Sequence, residues 1–220
     1  MKYSFSLIVC FGILFSSCKK TKKAEPETPE EAPVIYDDYS KLKVGNYWIY
    51  ERFQIDSTGQ STALGIYDSC YVVKDTIING SSCVKMYRND PAWNNNYIFL
   101  KDSLHYILNG RIVFSSEDFT TNFEDHYYID QPGADTIYHV IGKMTEKDQS
   151  VTVAAGTFVT SNFKRSYYFY NNWIAFGNFG KVRTISTRYA KDIGIITETL
   201  QFYSWQPSYL ERRLVRYHVQ

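Results

Sequence analysis

The side chains best suited to hydrolytic or metal chemistry are four histidines, His105, His126, His139 and His218. No two of them stand at a metal-ligand spacing, and no Gly-x-Ser-x-Gly elbow supplies a nucleophile. His105, His139 and His218 fall inside predicted strands, where a polar-face or packed role is usual. The sequence therefore assigns no catalytic residue, no metal ligand and no cofactor. Acids crowd together at Glu117-Asp118 and Glu124-Asp125-His126. A hard cation such as calcium takes several oxygens at once, but the Asp-x-Asp-x-Asp-Gly pattern is missing, and a solvated acidic loop is the commoner outcome.

Tryptophans between strands are the more suggestive feature. Trp93 is followed by Asn94 and Asn95, Trp173 is preceded by Asn172, and Trp205 lies in Ser204-Trp-Gln-Pro207. An exposed indole beside asparagine amides can stack on a sugar ring while the amides bond its hydroxyls. Trp93, Asn94, Asn95, Asn172 and Trp173 are thus the candidate ligand-binding residues, for a small ligand or a glycan. The competing role is a plug at the end of a barrel or sandwich, each ring burying about 200 Å².

Two of the four cysteines, Cys70 and Cys83, lie in the predicted folded part. Asn79-Gly80 is a strong hairpin signal. A turn there pairs Ile78 with Ser81 and Thr76 with Cys83, leaving Cys70 on the same face roughly 20 Å away at about 3.3 Å per residue. A disulfide needs Cα atoms within about 7 Å, so two free thiols are expected.

The elements that must position these residues are strands. Tyr, Phe and Trp make up 17% of the 220 residues, and the first two favour pleated, half-buried surfaces. No window of a dozen residues carries an apolar period of 3.6. Strands are expected at 47–55, with Tyr47, Ile49, Phe53 and Ile55 on one face, and in a hairpin of 66–75 with 82–88. A meander of 97–101, 104–108 and 111–114 follows. Residues 115–126 are polar, with one short helix placed near 117–123. Strands resume at 127–129, 136–142 and 151–154, with a turn at Gln131-Pro-Gly-Ala134, then at 158–170, 182–189, 195–203 and 210–219. The glycine-broken runs Val151–Phe158 and Tyr189–Ile196 read as strand, tight turn, strand. The expected fold is all-β: a single antiparallel domain, a partly open barrel or two packed sheets of about a dozen strands. Arg212, Arg213 and Arg216 charge both faces of the last strand, which argues against a membrane barrel. A formal charge of +1 leaves no nucleic-acid footprint.

Residues 1–17 read as a secretory signal, with Lys2 ahead of the apolar core Leu7–Phe15, a run too short to span a bilayer. Leu14-Phe-Ser-Ser-Cys18 resembles the lipobox of bacterial lipoproteins, which implies lipidation at Cys18 and a membrane partner reached through that lipid. Residues 18–40 form the tether: four lysines in Lys19–Lys23, then the acidic, proline-rich stretch Ala24–Pro33, which has too little apolar surface to fold. Residues 41–220 are the β-domain.

Leu42-Lys-Val-Gly-Asn-Tyr-Trp-Ile-Tyr50, Val151-Thr-Val-Ala-Ala-Gly-Thr-Phe158 and Tyr189-Ala-Lys-Asp-Ile-Gly-Ile-Ile196 together resemble a broad group of uncharacterised lipoproteins from Bacteroidota-like bacteria. One departure is Ala154, where such sequences often carry proline. The resemblance implies a lipid-anchored envelope protein and brings no reaction or ligand. In that group an acidic run directly after the lipidated cysteine resembles a surface-export tag. Here lysines hold that position, which implies an outer-membrane protein facing the periplasm. The expected function is a non-enzymatic binding or structural module, with a glycan-binding or glycan-active protein as the alternative.

Overall fold

The computed structural model describes residues 36–78, 80–89, 96–101, 104–108, 110–129, 135–170, 182–202 and 208–220. Twelve strands form one antiparallel sheet: β1 (Tyr47–Ile55), β2 (Ser61–Ile78), β3 (Ser81–Arg88), β4 (Asn96–Lys101), β5 (His105–Leu108), β6 (Arg111–Ser115), β7 (Glu124–Ile129), β8 (Thr136–Val153), β9 (Gly156–Phe169), β10 (Val182–Ala190), β11 (Gly194–Phe202) and β12 (Tyr209–His218). The order is β6-β5-β4-β3-β2-β1-β12-β11-β10-β9-β8-β7. Every strand lies beside its sequence neighbour except at one join, where β1 pairs with β12 and brings the two ends of the domain together. The sheet's two edges, β6 and β7, are consecutive in the chain. Pairing them would close a ring; in the described residues they are not paired, so the architecture is an all-β antiparallel sheet that does not close, as expected for a partly open barrel or two packed sheets.

The stretch 117–123, expected as a short helix, is a series of bends. The Asp118 carboxylate accepts the backbone N–H groups of Thr120 and Thr121 at 2.9 and 3.0 Å, an arrangement in which an aspartate side chain competes with helix formation.

Two clusters fill the interior. The first joins Trp48 and Tyr50 of β1, Cys70 and Val72 of β2, Ala190, Ile196 and Leu214. The second joins Tyr106, Val113 and Phe114 of β5 and β6 to Met144, Phe163 and Tyr189 of β8 to β10. It folds the β6 end of the sheet over the far half. The Tyr189 hydroxyl donates to the Val113 carbonyl at 3.2 Å, and the Phe114 ring lies 4.6 Å from that of Tyr189.

Strand β1 departs from the expected faces. Trp48 and Tyr50 point inward and Tyr47 and Ile49 do not, while Ile55 is buried. Register shifts after Ile49 against β12 and after Glu51 against β2 mark the irregularity that reverses the parity. Strand β8 runs without a break across the polar Thr145–Ser150, which was expected to separate two strands. There the step from Thr145 to Gln149 faces the shorter step from Asn162 to Thr160, with Glu146 and Asp148 at positive φ. The bulge lets the β8–β9 tip reach across the molecule, where the Ala155 N–H donates to the Leu214 carbonyl at 3.2 Å.

The turns were legible. Ala154-Ala155 closes the β8–β9 hairpin, with Val153 opposite Gly156, and Lys191–Ile193 closes β10–β11. Ile78 pairs with Ser81 and Thr76 with Cys83, as Asn79-Gly80 requires. Cys70 and Cys83 are both buried free thiols.

Candidate binding cavity

A partly open cavity of about 110 Å³ is lined by residues of both clusters. Aromatic and aliphatic side chains make much of its wall, among them Tyr50, Tyr106, Leu108, Val113, Phe163 and Tyr189. The polar part is more unusual: among the described residues three arginines, Arg88, Arg165 and Arg212, line it beside the carboxylate of Glu198.

Strand parity puts these charges inside. On β12, Arg212 and Leu214 are buried and Arg213 is not. On β11, Glu198 shares the parity of Ile196 and stands directly opposite Arg212 in the β11–β12 register. Arg88 sits at the end of β3, opposite Cys70. Arg212 Nη2 lies 2.6 Å from Glu198 Oε2, and Arg88 Nη2 approaches the same oxygen at 3.3 Å. Arg212 Nη1 contacts Cys70 Sγ at 3.3 Å, and the guanidinium carbon lies 4.3 Å from the centre of the Tyr50 ring, within cation–π range. Arg212 is 2% exposed, and its buried Nε has no hydrogen-bond partner among the described residues.

Burial alone would raise the Glu198 carboxyl, but Arg212 and Arg88 beside it hold it below the usual glutamate range. Burial, the largest single influence, would likewise lower Arg212, but Glu198, Cys70 and Tyr50 together more than offset it, so the guanidinium is raised. Burial pushes the Tyr50, Tyr106 and Tyr189 hydroxyls well above the usual tyrosine value. The cavity wall therefore combines ion-paired arginines with an aromatic surface whose tyrosines stay protonated.

Other carboxylates of interest are engaged by arginines or local turns. Arg52 takes Asp68 through two contacts of 2.8 and 2.5 Å, and Arg165 takes Glu124 at 2.6 Å. Asp125 is held below the usual aspartate range by His139, whose Nε2 lies 2.7 Å away. That histidine also stacks on Tyr127, with ring centres 4.2 Å apart. His105 packs edge-on against Phe123, and His218 stacks on Tyr47. Among the described residues no group of three or more His, Cys, Asp or Glu side chains is placed to hold a metal ion.

Trp93, Asn94, Asn95, Asn172 and Trp173 lie outside the described residues, as do Trp205, the Gln131–Ala134 turn and Cys18. The residues that sequence reasoning missed are Arg212, Glu198 and Arg88. A signal was present: Arg212 shares its strand parity with Leu210 and Leu214, and Glu198 with Ile196 and Leu200. A charge at an apolar parity on both of two adjacent strands points to an interior ion pair.

No protein-family model matches the chain, and no curated protein sequence matches it. Two solved structures resemble it. One is a protein described as a lipoprotein from Parabacteroides distasonis ATCC 8503, with TM-score 0.38 and 13% identity, covering 84% of this chain and 100% of that one. The other is described as an exported protein with a YmcC-like fold from Bacteroides fragilis NCTC 9343, with TM-score 0.37, 14% identity and the same coverage. Similarity that loose carries no argument about this chain's site or activity.

Proposed function

We propose that this chain is a lipid-anchored cell-envelope protein whose β-domain is a non-enzymatic binding module, with the interior cavity as its binding site. The anchoring half of this reading rests on sequence. An apolar core ends in Ser-Ser-Cys18, and a charged, proline-rich stretch follows that can hold the domain away from a membrane. The lysines directly after Cys18 favour the periplasmic face of the outer membrane.

The binding half is carried by one observation: a cavity of about 110 Å³ whose wall combines aromatic side chains with the ion pair of buried Arg212 and half-buried Glu198. Small-molecule sites are typically concave, largely apolar and equipped with a few placed polar groups. A space of this size has room for water, since one molecule needs only about 10 to 15 Å³, and a ligand would displace any held there.

The test is to fill the space. Val113→Phe should raise the melting temperature, because filling a real cavity commonly adds about 0.5 to 2 kcal/mol. A wall that is already close-packed would respond in the opposite way, losing about 1 to 3 kcal/mol to overpacking. That result would remove the cavity as a binding site.

A further inference from the structure

We propose that the cavity takes a small neutral aromatic molecule, about one ring in size, held against the aromatic side chains of its wall. This rests on the cavity being the binding site and adds the ligand's chemical class.

The polar ends of Trp48, Tyr50, Tyr106 and Tyr189, which line the cavity, are already engaged inside the protein. Trp48 donates its indole N–H to the Ile193 carbonyl at 2.7 Å. The Tyr50 and Tyr189 hydroxyls donate to the carbonyls of Ile195 and Val113 at 3.0 and 3.2 Å. The Tyr106 hydroxyl donates to Asp38 Oδ1 at 3.1 Å and accepts the Tyr39 N–H. What these four side chains still offer an occupant is ring surface. Charges on the wall are matched in the same way, Arg212 by Glu198 at 2.6 Å and Arg165 by Glu124 at 2.6 Å. A charged ligand would lose its hydration and find these two arginines already paired. Burying a charge without a partner is costly, and a neutral ring avoids that cost.

Shape and volume narrow the neutral class. Leu108, Val113 and Phe163 also line the space. Phe163 and the tyrosines offer a ring the offset or edge-on contacts that aromatic pairs favour beyond the area they bury. A buried apolar cavity of about 150 Å³ accepts benzene. At about 110 Å³ and partly open, this one suits a single ring whose edge can project into the opening, and it leaves out fused rings.

The experiment is calorimetric titration of the full-length protein in nanodiscs with four probes: benzene, benzoate, benzylamine and naphthalene. Benzoate and protonated benzylamine keep the ring and add one charge of either sign. Empty nanodiscs and nanodiscs carrying Val113→Phe are titrated alongside, so that partition into lipid is subtracted. One saturable benzene site is expected in the parent protein and none in Val113→Phe. Benzoate and benzylamine should bind at least about tenfold more weakly than benzene, and naphthalene should also bind more weakly. Val113→Ala enlarges the space instead of filling it, which keeps the test readable if Val113→Phe does not fold. It should narrow the gap between naphthalene and benzene.

Benzoate or benzylamine binding as tightly as benzene would overturn the neutral assignment while leaving the cavity as a site. Naphthalene binding more tightly than benzene to the parent protein would overturn the single-ring size. Absence of a saturable benzene site would overturn the inference, and the Val113→Phe melting temperature would then decide separately whether the cavity itself stands. Benzene binding unchanged in Val113→Phe, or a naphthalene gap unchanged in Val113→Ala, would place the ring elsewhere in the protein.

Discussion

Arg212 shows how a charged residue can be built into the interior of a β-domain. It is fixed by Glu198 across the β11–β12 pair, by Cys70 from β2 and by the Tyr50 ring from β1. Glu198→Gln removes the partner charge and leaves a buried guanidinium without it, which should cost about 3 to 5 kcal/mol of stability. The double variant Arg212→Met, Glu198→Leu should recover most of that loss, and chemical denaturation of both proteins checks the contrast. The acid side follows from the same pair. Glu198 is held below its ordinary value in the folded state, so its contribution is present above the unfolded value of about 4.3. It is lost as pH falls through the folded value. Glu198→Gln should therefore flatten the fall in stability below about pH 4.3. An unchanged acid slope would assign that stability to other carboxylates. The position of Arg212 was readable from strand parity, with Leu210 and Leu214 on either side. The role of Cys70 was not, because the β2–β12 contact crosses β1 and no local pattern records it.

At the scale of elements, the three sequence patches meet in space. Trp48, from the first, donates its indole N–H to the Ile193 carbonyl at 2.7 Å, and Tyr50 donates its hydroxyl to the Ile195 carbonyl at 3.0 Å, both in the third. Val151, Val153, Ala155 and Phe158, from the second, pack against the same cluster. Gly194 makes the approach possible: it sits at φ +113°, and a Cβ there would lie 3.2 Å from Trp48 Nε1. Gly194→Ala therefore combines a strained backbone with a crowded indole and should lower stability by about 1 to 3 kcal/mol. A melting temperature equal to that of the parent would show that the Trp48–Gly194 contact does not constrain the fold. Turns such as Ala154-Ala155 and Lys191–Ile193 were legible because glycine after a β-branched run demands them. The irregularity in β1 and the bulge in β8 were not. Their residues alternate or read as polar loop locally, and the register shift comes from partner strands distant in sequence.

At the scale of the whole molecule, β1–β12 pairing and Asn46 tie the ends of the domain together. Asn46 is fully buried, its side-chain amide donates to the Lys41 carbonyl at 2.8 Å, and its side-chain oxygen accepts the Gln220 N–H at 3.1 Å. The start and end of the domain are thus pinned to each other, and Asp38 and Tyr39 ahead of β1 are held to it as well, the Asp38 carbonyl accepting the Asp192 N–H at 2.7 Å and the Tyr39 ring lying 4.8 Å from that of Phe114. Cys18→Ser should abolish incorporation of labelled fatty acid and release the protein from the membrane fraction. Retention of both label and membrane association would mean that another residue carries the anchor. All-β character was plain from aromatic content and alternation. The cavity was not, because it arises from the β5–β6 end of the sheet folding over β9 and β10.

Whether the cavity lined by Arg212 is real space in which a ligand can bind is tested most directly by filling it. Val113→Phe should raise the melting temperature, by the equivalent of about 0.5 to 2 kcal/mol. A fall matching the roughly 1 to 3 kcal/mol cost of overpacking would contradict the account and remove the cavity as a binding site.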